Sequence, residues 1–276
     1  MFFVSDRIVL LCELERVEIY STMILDSFRI DGKNALVTGS SRGLGAAIAL
    51  GLAEAGANVA LHGRAPEGDA HCEKIRRLGR KSFYVGGDIA DPKVCSELIE
   101  KSIAGFGSLD ILVNNAGAIR RAPAAEYPQA FWDELIAMDL SSVFRLSQLA
   151  GQHMLQRGAG GKILNIASVL SFQGGILVPA YAAAKGGVAQ LTKALANEWS
   201  SKGINVNAIA PGYMETDNTE ALRQDSARSQ DILRRIPAAR WGKPADLAGA
   251  AVYLCSSASD YVHGHVLVVD GGWLAR

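Results

Sequence analysis

The stretch Asn34-Ala35-Leu36-Val37-Thr38-Gly39-Ser40-Ser41-Arg42-Gly43-Leu44-Gly45 decides how the rest of the chain is read. A short strand candidate over 34–38 runs into glycines spaced G-x-x-x-G-x-G, and an Ala- and Leu-rich helical pattern over 46–55 follows. Glycine at the strand end permits a sharp turn, the next lets backbone approach a ligand, and the last allows close helix packing. A helix that starts there presents unpaired N–H groups and the positive end of its dipole, which suits a pyrophosphate. Glycine alone carries little weight in a chain with 29 of them. The strand–turn–helix context is what points to a dinucleotide site rather than a merely structural turn. Gly39, Ser41, Arg42, Gly43, Leu44 and Gly45 are therefore candidate cofactor-binding residues.

Outward from this turn the same rhythm continues. β-like runs at 34–38, 58–62, 82–86, 111–114, 162–167, 205–210 and 266–269 are rich in Val, Ile and Leu without strict alternation. That pattern marks strands buried on both faces. Helical patterns such as 46–55, 92–106, 131–156 and 180–201 separate them, so the strands form a parallel sheet through right-handed crossovers. The expected fold is α/β: a single doubly wound Rossmann domain over 23–276, a seven-stranded parallel sheet with helices on both faces. Its ligands belong at the carboxyl ends of the strands. Residues 1–22 contain no Gly or Pro and read as an N-terminal extension before a natural start at Met23, or as a short amphipathic helix on the domain. The polar stretch 212–230 is the longest without a regular pattern and is a candidate substrate lid.

Composition narrows the function classes. The chain has 276 residues, 49% hydrophobic and 20% charged, which excludes disorder and low complexity. A chain of this length buries roughly three quarters of its extended surface, so its core needs no disulfide or metal. Twenty-eight basic residues balance 28 acidic ones, which argues against a nucleic-acid partner or an anionic membrane. Cys12, Cys72, Cys95 and Cys255 include no CxxC pair; they read as reduced thiols in a cytoplasmic protein, with no metal site. No apolar run approaches the ~20 residues of a membrane span, and no secretory signal pattern is present.

The second strand ends in Leu61-His62-Gly63-Arg64. A site that prefers NAD usually places an acid there for the ribose hydroxyls. Arg64 and Arg42 suit a 2′-phosphate instead, so the cofactor is read as NADP or NAD with a lean to NADP. Tyr181 and Lys185 stand four apart on a helical pattern and share a face. A cation beside a phenol favours phenolate, which prepares a tyrosine to exchange protons with an alcohol near neutral pH. Ser168 lies just past a strand, placed to bond a substrate oxygen. A Tyr-x-x-x-Lys pair is common; together with a dinucleotide turn and an upstream Ser it is specific.

On these residues the chain resembles the short-chain dehydrogenase/reductase family from about Met23 to Arg276. The matching motifs are Thr38-Gly39-x-x-x-Gly43-x-Gly45, Asn114-Asn115-Ala116-Gly117, Ser168, Tyr181-x-x-x-Lys185 and Pro211-Gly212. The resemblance implies that Tyr181 is the general acid/base, that Lys185 binds the nicotinamide ribose and tunes the phenol, and that Ser168 steadies the substrate oxygen. It places Asn115 and Gly117 on the adenosine side of the cleft, Asp88 and Ile89 at the adenine, and Pro211, Gly212 and Thr216 towards the nicotinamide. Asn165-Ile166-Ala167-Ser168, Ala210-Pro211-Gly212-Tyr213-Met214 and the ending Asp270-Gly271-Gly272-Trp273-Leu274-Ala275-Arg276 resemble members acting on deoxy-gluconate-like sugar acids. Arg120, Arg121 and Gln173 then become candidate substrate residues. The implied activity moves a hydride between nicotinamide and a sugar-acid alcohol or ketone, in a homotetramer.

Two departures stand out. Gly63-Arg64 leans to NADP where the resembled group is usually NAD-linked. Asp139, in Met138-Asp139-Leu140, occupies the place of a family Asn that anchors a water near Lys185. An aspartate there can hold water or pair with Lys185 and blunt its effect on Tyr181. It is also the one feature favouring a rival reading, a dinucleotide-binding sensor or inactive partner subunit. Reduction of a carrier-bound acyl chain is opposed by the lack of a basic docking patch. His263 and His265 are expected to be structural, and Trp273 to lie in a subunit contact.

Overall fold

A computed structural model of the chain describes residues 23–65, 68 and 70–276. The expected N-terminal extension, 1–22, lies outside the described residues. Seven strands, β1 (Asn34–Val37), β2 (Asn58–Gly63), β3 (Ser82–Gly86), β4 (Ile111–Asn114), β5 (Gly161–Ile166), β6 (Ile204–Pro211) and β7 (Val266–Val269), form one sheet. All pairings are parallel, in the order β3-β2-β1-β4-β5-β6-β7. The chain moves outward from β1 to β3 and then returns to β4 on the other side of β1. This creates a topological switch point where the carboxyl ends of β1 and β4 diverge, the place where such sheets bind ligands.

Among the described residues the α-helices are α1 (Gly43–Glu54), α2 (Ala70–Arg77), α3 (Pro92–Phe106), α4 (Gln129–Ile136), α5 (Ser142–Arg157), α6 (Pro179–Trp199), α7 (Glu220–Gln224), α8 (Ser226–Arg235) and α9 (Ala248–Cys255). The pleat of β1 shows how they sort. Val37 packs with Ile48, Leu52, Ile75 and Leu254 of α1, α2 and α9 on one face. Leu36 packs with Leu98, Leu146 and Leu195 of α3, α5 and α6 on the other. Successive side chains point to opposite faces, so both faces are dry and the strands carry near-continuous apolar runs. Every residue of β1 and β6 is buried.

Two elements differ from the sequence reading. The single helix expected over 131–156 is α4 and α5 joined by a π-helical turn, Ala137–Ser141. Apolar periodicity runs straight through a one-residue widening of this kind, so the pattern conceals it; such turns cluster at functional sites. The stretch 212–230 is irregular only in its first part, 212–216. It folds into α7 and the start of α8, with Asp225 capping α8 by accepting from the Arg228 N–H at 3.0 Å. Ile232 is the buried residue of α8, too sparse an apolar signal to reveal a helix. No described helix is long and apolar enough to cross a membrane.

Candidate functional site

The turn after β1 is built by close approach. Gly39 has φ +63°, and a Cβ there would lie 2.7 Å from the Ala116 Cα. A Cβ on Gly45 would lie 2.4 Å from both the Asn115 Nδ2 and the Gly39 carbonyl oxygen. The third glycine thus lets α1 close on the residues after β4. Hydrogen bonds lock the same junction. Thr38 Oγ1 accepts from the N–H groups of Asn115 (3.0 Å) and Ala116 (3.1 Å), and the Asn115 amide donates to the carbonyls of Thr38 (2.9 Å) and Gly39 (3.0 Å).

His62 is a participant that the sequence reading passed over. It is buried at the end of β2. Its Nδ1 accepts from the Gly39 N–H at 3.2 Å, and Nε2 lies 3.0 Å from the Gly87 carbonyl. An N–H donor on one side and a carbonyl on the other require a neutral ring protonated on Nε2. Burial lowers its pKa, against the pull of the Gly87 carbonyl and Asp88. Its place at the end of a strand next to the glycine turn was the available signal.

The residues singled out from the glycine turn line one cleft together with Arg64, Asp88, Ile89, Asn115, Gly117, Tyr181, Lys185 and Thr216. Pro211 and Gly212, expected towards the nicotinamide, wall an adjoining lobe with Ser168, Gln173 and Arg121, and that lobe shares Leu44 and Thr216 with the first. Pro211 ends β6 and Gly212 follows it. Tyr181 lines both lobes and stands at their junction. The first lobe fits a phosphorylated dinucleotide: a helix start opens onto it, and Arg42 and Arg64 line it. A side chain at position 63 would meet the Tyr84 hydroxyl at 2.7 Å and the Ser41 hydroxyl at 3.0 Å, and the strand end carries no ribose-gripping acid. Arg42 also pairs with Asp217 at 3.1 Å, joining the turn to the segment that carries Thr216.

Tyr181 and Lys185 lie on one face of α6, with Lys185 Nζ 5.6 Å from the phenol ring centroid. Lys185 is 4% exposed and donates to the Ile166 carbonyl at 2.8 Å. Ser168 caps a 3-10 turn, its hydroxyl accepting from the Leu170 N–H at 3.1 Å, and it lines the second lobe together with Tyr181. Burial holds the Tyr181 phenol above its ordinary value and Asp139 adds to this, while Ser168 and Arg121 oppose it. Beneath them, Asn114 donates to Asn165 (2.9 Å) and Ser147 (3.0 Å), and Asn165 donates to Thr192 (2.9 Å). This buried network fixes α5 and α6 against β4 and β5.

Asp139 projects from the π-turn into the same region and is 0% exposed. Its Oδ1 accepts from the Ala118 N–H at 2.9 Å, while Oδ2 is buried with no hydrogen-bond partner. Burial raises its pKa to about 6, with Lys185 and the Ala118 N–H opposing. Burial lowers the pKa of Lys185, and Asp139 counters it. The expected pairing takes the form of a field between the two charges, since Lys185 Nζ is directed at the Ile166 carbonyl and no ion pair forms within 4.0 Å.

The two candidate substrate arginines separate. Arg121 lines the second lobe and donates to the Asn218 carbonyl at 3.1 Å. Arg120 forms a forked ion pair with Glu134 at 2.6 and 3.0 Å, and lines neither lobe. Adjacent residues on extended backbone point apart, which sequence adjacency hides. Trp273, expected in a subunit contact, is instead buried within its own chain beside Tyr213, Ile232 and Trp241. No metal-binding cluster occurs among the described residues, and Asn205 lies 3.4 Å from His263 in a structural contact.

Residues 39–274 match the family described as enoyl-(acyl carrier protein) reductase. The 2-dehydro-3-deoxy-D-gluconate 5-dehydrogenase of Dickeya dadantii is 52% identical over 254 residues, which is 92% of this chain and all of that protein. A structure from Agrobacterium tumefaciens, described as a candidate 2-deoxy-D-gluconate 3-dehydrogenase and solved with bound NADP, is 54% identical. It superposes with a TM-score of 0.86, covering 91% of this chain and 99% of that one. A gluconate 5-dehydrogenase from Burkholderia cenocepacia, in complex with NADP and tartrate, is 42% identical with a TM-score of 0.88, covering 92% of this chain and all of that one. With its parallel seven-stranded sheet, its glycine turn and its Ser168, Tyr181 and Lys185 at one cleft, the chain belongs to the short-chain dehydrogenase/reductase family of oxidoreductases.

Proposed function

We propose that the protein is an NADP(H)-dependent oxidoreductase that interconverts an alcohol and a ketone on a deoxy-gluconate-like sugar acid. The observation that carries this is Tyr181, at the junction of a dinucleotide lobe and a second lobe rich in arginine. The names of its close relatives support the substrate class, and the NADP in its structural neighbours supports the cofactor.

When bound, the nicotinamide supplies or accepts the hydride. Gly39, Ser41, Gly43, Leu44 and Gly45 would hold the pyrophosphate. Arg42 and Arg64 would hold the 2′-phosphate, Asp88, Ile89, Asn115 and Gly117 the adenosine side, and Lys185 and Thr216 the nicotinamide side. The remaining work falls to the side chains around Tyr181. Its hydroxyl gives a proton to the carbonyl oxygen during reduction and takes it back from the alcohol during oxidation. Ser168, beside Tyr181 in the second lobe, orients the substrate oxygen. Lys185 keeps positive charge near the phenol and favours its ionised form. Asp139 sets the strength of that field. Arg121 and Gln173 contact the substrate in the second lobe. The domain is read as 23–276 with a lid over about 212–230, tied to the turn by Arg42 and Asp217.

Buried Cys95 and Cys255, thiols outside any disulfide, support a cytoplasmic setting. The exposed apolar side chains Trp132 and Phe144, on α4 and α5, support assembly into the homotetramer implied by the family. The intact Ser168, Tyr181 and Lys185 count against an inactive sensor. Oxidation and reduction of 2-deoxy-D-gluconate and its keto forms, followed by nicotinamide absorbance with each cofactor, test the reading. Absence of turnover with every sugar acid would refute it.

A further inference from the structure

The charge of the second lobe is one-sided. Arg121, Arg228 and Arg235 line it and no aspartate or glutamate does, in a chain of zero net charge. The neighbouring arginines are neutralised: Arg234 pairs with Asp231 at 3.1 Å, and Arg240 with Asp246 at 2.6 Å. Arg228 and Arg235 have no ion-pair partner among the described residues. They stand seven residues apart on α8, two turns along one face.

Arg235 has an aromatic partner. Its guanidinium carbon lies 3.9 Å from the ring centroid of Trp273. Trp273 is 3% exposed and packs on Tyr213 at 4.5 Å, which packs in turn on Trp241 at 5.7 Å. A guanidinium seated over a fixed indole can keep N–H donors free for a ligand. It then loses little conformational freedom when it binds an anion, and its forked donors match a carboxylate. Arg121, by contrast, is tied to the Asn218 carbonyl at 3.1 Å, and its positive charge favours the Tyr181 phenolate, which places it towards the reacting end of the lobe.

We infer that Arg235, stacked on Trp273 and assisted by Arg228, is the carboxylate-recognising residue of the substrate lobe. The acid end of the substrate is then held by α8 while its carbinol faces Ser168 and Tyr181. This rests on the sugar-acid reading above, and the test separates the two. The measurement is the ratio of kcat/KM for 2-deoxy-D-gluconate to that for the neutral alditol of the same chain, in wild type, Arg235→Met and Arg235→Lys. Methionine keeps an apolar stem on the indole without charge. The expected result is a ratio at least tenfold lower in Arg235→Met, through the KM for the acid, with partial recovery in Arg235→Lys and unchanged NADPH affinity. A wild-type preference that survives within twofold in Arg235→Met overturns the assignment alone. A wild type that does not prefer the acid overturns both the assignment and the sugar-acid reading.

Discussion

Replacing Asp139 with asparagine should make the protein relatively more stable as the pH rises. The side chains are nearly isosteric, and an asparagine Oδ1 can keep the bond from the Ala118 N–H. What changes is the charge. Burial raises the Asp139 carboxyl from the ordinary value of 3.8 to about 6, which amounts to roughly 3 kcal/mol between its two protonation states. A carboxyl whose folded pKa exceeds its unfolded one contributes stability at acid pH, and that contribution disappears as the pH climbs from about 4 to about 6. Of the roughly 3 kcal/mol, about 2 kcal/mol is lost between pH 4.5 and 7.5. The unpaired position now held by Oδ2 becomes an unpaired N–H in the variant, a cost that does not depend on pH. The quantity to read is therefore the change with pH of the Tm difference between variant and wild type. At roughly 2–4 °C per kcal/mol for a chain of this size, the difference should move about 4–8 °C in favour of Asn across that range. A Tm difference that is flat with pH would refute the reasoning, because the carboxyl would then titrate alike in the folded and unfolded chains. In the same variant the kinetic limb that reports Tyr181 should move to lower pH, since the ionised Asp139 raises that phenol.

Tyr181→Phe should lower kcat at least ~10²-fold and leave NADPH affinity near wild type in a fluorescence titration; more than about a tenth of the wild-type rate would contradict the proton-transfer role. Arg64→Asp should reverse a wild-type preference for NADPH over NADH, read as the ratio of kcat/KM values. Wild-type kinetics that clearly favour NADH would contradict the 2′-phosphate assignment. Gly45→Ala should weaken binding of both cofactors and cost about 1–3 kcal/mol, because the new Cβ meets Asn115 and the Gly39 carbonyl; unchanged calorimetric affinity would show that α1 can withdraw without cost.

The sheet was legible because its signal is local and repeated. Leu36 and Val37 must both be apolar when helices cover both faces, and that leaves a run any window detects. Tyr181 and Lys185 were legible because four residues is one helical turn. The π-turn was not, since the widening at Asp139 preserves the apolar pattern on either side. Neither was the separation of Arg120 from Arg121, which depends on where Glu134 lies, 14 residues on. His62 and Arg235 escaped for a shared reason. Their partners, Gly39 with Gly87 and Trp273, are 23 or more residues away, and a lone histidine or arginine carries no pattern. Helix α8 was hidden because Ile232 is its buried anchor in a segment otherwise mostly polar or charged.

The central claim is that a Tyr181-centred cleft transfers hydride between NADP(H) and a sugar acid. Its most direct test is a steady-state screen of the purified protein against 2-deoxy-D-gluconate, D-gluconate and their keto forms, with NADPH and NADH compared at each substrate and Tyr181→Phe run alongside. The expected result is turnover with at least one deoxy-sugar acid, a higher kcat/KM with the phosphorylated cofactor, and loss of that turnover in the variant. Turnover that persists in Tyr181→Phe, or a wild type that binds NADPH yet reduces none of the keto acids, would contradict it.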